Sequence, residues 1–119
     1  MREIKFRAWN KELEKMHYDI EYIYDDVGTS CASFGDILED TERFNVMQYT
    51  GLKDKNDKEI YEGDILTWGN NVIVKVYYAD VLAMFRCILE GTEEFGLFGF
   101  NQEASIIGNI YENKELLDE

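Results

Sequence analysis

The chain has 119 residues, 45% of them hydrophobic, which is enough for one domain with a real core and leaves room for no more than an N-terminal subdomain beside it. Its 12 Lys and Arg face 25 Asp and Glu, and the resulting charge of −13 opposes direct binding to phosphate backbones or anionic membranes while attracting basic partners. The same charge also keeps a protein soluble, which is its plainer role.

With no proline in the sequence, turns must be built from Gly, Asn and Asp. Ile4, Phe6 and Ala8 alternate with Lys5 and Arg7, which predicts a strand whose first set is dry and second set wet. Trp9 ends it, and Asn10, Lys11 and Glu12 form a turn. Met16, Tyr18, Ile20 and Tyr22 then alternate with His17, Asp19 and Glu21, giving the second strand of a β-hairpin with His17 facing solvent. Residues 25–36 read as a loop, and residues 34–38 as a short helical turn.

The strand pattern returns at residues 44–49, and residues 53–58 form a charged turn leading into a strand at 58–61. Glu62-Gly63-Asp64 is a tight turn in which Gly63 is free to take a positive φ. Short strands follow at 65–68 and, after a Gly69-Asn70-Asn71 turn, at 72–78, where Val72, Val74, Val76 and Tyr78 mark one face. Residues 84–89 and 106–110 are further strands, and residues 112–117 a closing helical turn that docks Leu116 and Leu117 on the barrel end. Strands separated by turns every 8–12 residues or so are the pattern of a small barrel or sandwich. The expected fold is mainly β, with an N-terminal hairpin and loop subdomain over residues 1–43 and a barrel with a C-terminal helical turn over residues 44–119.

Three stretches carry a resemblance: Lys5-Phe6-Arg7-Ala8-Trp9 with Lys15-Met16; the run from Met47 through Gln48, Tyr49, Thr50, Gly51, Leu52 and Asp54 to Asn56, continued by Glu59 to Ile65; and Ile107-Gly108-Asn109-Ile110-Tyr111-Glu112-Asn113 followed by Leu116-Leu117. In this order they resemble the YopX family of phage and prophage proteins. The resemblance implies an SH3-type β-barrel and a phage or prophage origin, and it supplies no activity and no cofactor. Asp57 stands where the family commonly has Gly, and Lys114 where it often has Pro. Both are turn positions, so local geometry and not the fold should differ.

Every motif residue also has a structural reading. Tyr49 offers a buried ring with a polar tip. Gln48 and Thr50, on the other face, can hydrogen-bond across strands, and Gly51 permits a bend. The Asp64 carboxylate can hold the Gly63 turn by accepting backbone N–H groups, and Gly108-Asn109 is a similar tight element. Trp9, Asp54 and Tyr111 complete the set of motif positions.

Catalytic chemistry finds no motif. Residues 54–65 start like a calcium loop, but Lys58 replaces an oxygen ligand, Glu59 stands where Gly is needed and Ile65 where the bidentate Glu belongs. An irregular cation site among Asp54, Asp57, Glu62 and Asp64 would rest on acidic density alone. His17, Cys31 and Cys87 lack zinc-ligand spacing, and Cys87 reads as a buried, inert thiol. No CxxC unit or disulfide framework is present. Arg2, Glu3, Lys5 and Arg7 interrupt the start where a signal peptide would run on, and no apolar stretch nears the roughly 20 residues of a membrane helix.

The expectation is a cytoplasmic, non-enzymatic phage accessory protein that binds other proteins and self-associates as a homo-oligomer. It takes no cofactor and no metal, touches no membrane and binds no nucleic acid directly. Phe34, Leu97, Phe98 and Phe100 are its candidate interface residues, with core packing as the competing reading of residues 96–100. The alternative is an acidic mimic of DNA that occupies a basic, nucleic-acid-binding host protein.

Overall fold

A computed structural model describes residues 4–18, 20, 22–24, 31–68, 72–80, 84–89, 93–97 and 101–116. The protein is mainly β and antiparallel throughout, with little helix, and divides into two compact units, Ile4–Gln48 and Tyr49–Glu119. The Gly69–Asn71 turn, Phe98, Phe100, Leu117 and residues 25–30 of the loop expected at 25–36 lie outside the described residues, while Cys31–Ser33 within that expected loop is a strand, held by its ladder to Tyr22–Tyr24.

In the Ile4–Gln48 unit, β1 (Phe6–Asn10) and β2 (Lys15–Tyr18) form the expected hairpin, with Ala8 opposite His17 and Trp9 opposite Met16. On its other side β1 pairs with the start of β5 (Phe44–Lys53), from Phe6 opposite Gln48 to Asn10 opposite Phe44. A separate ribbon joins β3 (Tyr22–Tyr24) to β4 (Cys31–Ser33), and the short helix α1 (Phe34–Glu39) follows it. Ala8, Ile20, Ile37 and Phe44 form the core, with Phe6 and Val46 against it.

Three details depart from the sequence reading. The strand continues through Trp9 and Asn10, and the turn begins at Lys11. The second strand stops at Tyr18, because Ile20 leaves the ladder to enter the core and β3 then takes a different partner. Arg7 is buried at 2% exposure, whereas Ile4 is 64% exposed. Ala8 is buried as expected, so β1 is covered on both faces at this point and alternation alone could not show it. Here Tyr18 stands directly opposite Arg7, its ring 5.9 Å from the guanidinium carbon and its hydroxyl accepting from Nη1 at 3.3 Å.

In the Tyr49–Glu119 unit, the end of β5 pairs with β6 (Glu59–Tyr61), and the register shifts around Gly51, whose φ is 87°. A five-stranded sheet follows, built from β7 (Asp64–Trp68), β8 (Val72–Ala79), β9 (Met84–Leu89), β10 (Glu93–Gly96) and β11 (Ser105–Asn109) in the order β10-β9-β8-β7-β11. A 3-10 turn at Lys114–Leu116 closes the described chain. Val74, Val76 and Cys87 are buried on one face of the sheet together with Ile60, Leu66, Leu97 and Ala104, and burying an aliphatic side chain of this size contributes about 1.5–3 kcal/mol. β10 was not expected from sequence. Glu93, Glu94, Phe95 and Gly96 show no period-two pattern, and the strand exists through its backbone ladder to β9. Among the described residues no helix is long and apolar enough to cross a membrane.

Candidate functional site

The most distinctive sequence, residues 48–65, is a scaffold knotted by side-chain bonds to backbone. Asp54 closes the turn between β5 and β6. Its Oδ1 accepts the N–H of Asn56 at 2.8 Å and of Lys58 at 2.9 Å, and its Oδ2 accepts the N–H of Ile106 at 2.9 Å. The Lys55 N–H reaches Ala104 O at 2.9 Å, and the buried Asn101 amide donates to Lys53 O at 2.8 Å. This turn is therefore tied to residues 101–106 as well as to itself. Burial of Asp54 opposes its charge, but the N–H groups of Ile106, Lys58 and Asn56, helped by the Lys58 ammonium, outweigh it and hold its pKa below the ordinary carboxylate value.

The next motif works the same way. Gly63 takes φ 91°, the Tyr61 N–H donates to Asp64 Oδ2 at 2.7 Å, and the Thr50 hydroxyl donates to Ile60 O at 2.7 Å. Gly63 also donates to Val76 O and accepts from the Ile110 N–H, both at 2.9 Å, so the turn joins β8 to the residues after β11. In the third motif, Asn109 Oδ1 accepts from the N–H groups of Tyr111 at 3.0 Å and Glu112 at 2.9 Å. The Asn109 N–H in turn donates to Asn113 Oδ1 at 3.2 Å. A Cβ on Gly108 would stand 2.5 Å from Asn113 Oδ1 and 2.6 Å from its Cγ, so any other residue there must displace the Asn113 side chain.

These bonds decide what the acids can do. Asp54 and Asp64, two of the four acids whose density alone would suggest a cation site, are buried and directed at backbone N–H groups. Asp57 faces solvent, 3.8 Å from the Lys53 ammonium. Among the described residues no three His, Cys, Asp or Glu side chains are grouped as metal ligands. Cys87 is fully buried, and desolvation pushes its thiol up to about 12 despite nearby Arg86, so it is a poor nucleophile.

Tyr49 is buried with its ring 5.5 Å from that of Tyr61, and Leu52 packs against the core. Trp9, Gln48 and Tyr111 are half-buried. Leu97, one of the candidate contact residues, is 1% exposed and lies in the core. Phe34 opens α1, and its side chain, like Phe98 and Phe100, is outside what the structure describes. His17 departs from expectation. It is half-buried, edge-on to Phe44 at 6.3 Å between ring centroids, because its strand partner Ala8 lies in the core and Phe44 reaches across from β5.

An exposed apolar site emerges instead at the far end of β8 and β9. Tyr78 stands opposite Phe85, their rings 5.1 Å apart and 70° inclined, on the face that carries buried Val74, Val76 and Cys87. Phe85 packs against the core, while Tyr78 is 39% exposed. The period-two run of residues 72–78 already included Tyr78, but nothing in it showed where the core would stop.

The class is thus a small antiparallel β protein whose turns are locked by Asn, Asp and Gly. Within that class the chain belongs to the YopX family, whose sequence profile, described as YopX protein, matches residues 5–118. Among solved structures it is similar to protein EF1440 from Enterococcus faecalis, with 27% identity, a TM-score of 0.70, and coverage of 99% of this chain and 100% of that one. Comparison with curated proteins gives no match.

Proposed function

We propose that this protein is a non-enzymatic accessory module of a phage or prophage that works by protein–protein contact and associates with a second copy of itself. The observation behind this reading is the Tyr78–Phe85 pair, where the apolar face of β8 and β9 runs past the core and leaves an aromatic ring 39% exposed. Tyrosine suits a contact surface because it offers a large rigid apolar area with a hydrogen-bonding tip. The motif side chains support the same reading, since Asp54, Asp64 and Asn109 are committed to backbone groups that hold the fold.

The Tyr49–Glu119 unit is read as an SH3-type barrel. Supporting this are the five-stranded antiparallel order β10-β9-β8-β7-β11 and the bonds from residues 54 and 55 to residues 106 and 104, which occupy backbone groups along β11 and just before it. Sedimentation equilibrium of the full chain tests the association. A dimer at micromolar concentration is expected, weakened about tenfold or more by Tyr78→Ser. A strict monomer at high micromolar concentration refutes self-association, and a dimer indifferent to Tyr78→Ser refutes the site.

A further inference from the structure

We propose that His17 and Asn10 form a proton-operated latch on the β1–β2 hairpin, closed when the imidazole is neutral and opened when it takes up a proton. The argument begins with Asn10, which is 6% exposed and ends β1. Its Oδ1 accepts the N–H of Glu12 at 3.0 Å and of Leu13 at 3.1 Å, and these bonds hold the turn. With the oxygen so engaged, the amide must present its NH2 group on the other side, where His17 Nε2 lies 3.4 Å from Nδ2. An NH2 group only donates. Nε2 must therefore offer its lone pair, which places the ring's single proton on Nδ1 and makes the ring neutral.

A second proton on His17 would set N–H against N–H. Relief comes either from the ring leaving Phe44 or from the Asn10 amide turning over, which would aim its NH2 at the Glu12 and Leu13 N–H groups. Both routes unlock a turn that already holds Glu14 at φ 52°. The charge that acts on the ring is that of Lys15 on β2, which opposes a second proton, while Glu12 and Glu14 of the turn are exposed to solvent. Arg43, held by Asp40 at 3.1 Å, covers Phe44 at 4.8 Å. β1 contains no carboxylate and sets Ala8 opposite His17.

Burial, and after it Lys15, depress the His17 pKa below 6.5, in keeping with this geometry. The unfolded chain takes the proton at 6.5 and the folded chain only at lower pH. The latch's contribution is therefore complete above 6.5 and fades as pH falls from there through the lowered value.

Nitrogen-detected NMR titration of the 15N-labelled full chain tests the latch. The expected result is an Nδ1–H tautomer, a midpoint below 6.5, and Glu12 and Leu13 amide signals that move with that midpoint. In Asn10→Asp the carboxylate can accept from the turn and from a protonated ring at once, so the midpoint should rise above 6.5. In His17→Ala the two amides should lose the response that follows the wild-type His17 midpoint. An Nε2–H tautomer, a wild-type midpoint at or above 6.5, or amides that ignore the His17 titration would overturn the proposal.

Discussion

The turns at Asp54 and Asn10 share one local design: a side-chain oxygen at the end of a strand gathers the N–H groups of residues just ahead. They differ in what the second side-chain atom does. Asp54 sends its other oxygen 52 residues along the chain to Ile106, whereas Asn10 sends its amide nitrogen to His17, 7 residues away in the same hairpin. The first turn is a clamp on the whole Tyr49–Glu119 unit and is held by an anion. The second is local, held by a neutral amide, and sensitive to a proton elsewhere. Damage to the first should therefore be felt globally, and damage to the second within the hairpin.

The sharpest way to break this comparison is Asp54→Ala. It strands three backbone N–H groups beside a 5% exposed site and should destabilise the protein by about 3–5 kcal/mol, read as a lower urea midpoint. Asp54→Asn keeps one acceptor and faces Ile106 with an NH2 group, for a loss of about 2 kcal/mol. The pH windows should also separate. A depressed Asp54 pKa contributes stability above the unfolded value of 3.8 that disappears as pH falls through the folded value, whereas the His17 contribution begins to fade already at 6.5. If Asp54→Ala moved the midpoint by less than about 0.5 kcal/mol, the clamp would be no more than a local turn.

Next in size is Gly108→Ala. The added methyl would meet the Asn113 side chain at 2.5–2.8 Å, forcing it away from the Asn109 N–H. A loss of about 2 kcal/mol is expected, against less than 1 kcal/mol for Asn113→Ala, which gives up the bond without the overlap. Equal losses in thermal or urea unfolding would show that the bond and not the close approach makes glycine necessary.

The parts of the molecule legible in the sequence are those where one residue's chemistry sufficed. Val74 and Val76 announce a dry face by alternation, Gly63 a positive φ by its lack of Cβ, Asp64 a turn lock by its short carboxylate, and Cys87 a buried thiol by its apolar run. What stayed hidden depends on register between distant segments. Arg7 is buried because Tyr18 stands opposite it, and His17 is shielded because Phe44 arrives from β5. Asn101 reads as an ordinary loop residue until its amide is found on Lys53 O, 48 residues away. β10 carries no side-chain pattern and is drawn into the sheet by β9. The exposed Tyr78 belongs with these, since the end of a core is a property of the assembled sheet.

The smallest effects come from the two turns' own backbone strain, and they sharpen the comparison most finely. Among the described non-glycine residues, Glu14 in the β1–β2 turn and Asp57 in the β5–β6 turn have positive φ, 52° and 66°. An L side chain in this region costs roughly 1–2 kcal/mol, while glycine's extra chain entropy returns about 0.5–1 kcal/mol of that difference. Aspartate tolerates the left-handed region better than glutamate, because its short carboxylate can bond locally. Glu14→Gly should therefore stabilise by about 1 kcal/mol and Asp57→Gly by about 0.5 kcal/mol, the latter reduced further by the loss of an exposed Lys53 ion pair of little strength. Hydrogen exchange should place the Glu14→Gly gain in the hairpin amides and the Asp57→Gly gain across the Tyr49–Glu119 unit, because the Asp57 N–H bonds to the carbonyl of Asp54, the clamp itself. Were both gains confined to their own turns, Asp54 would be no more of a global clamp than Asn10.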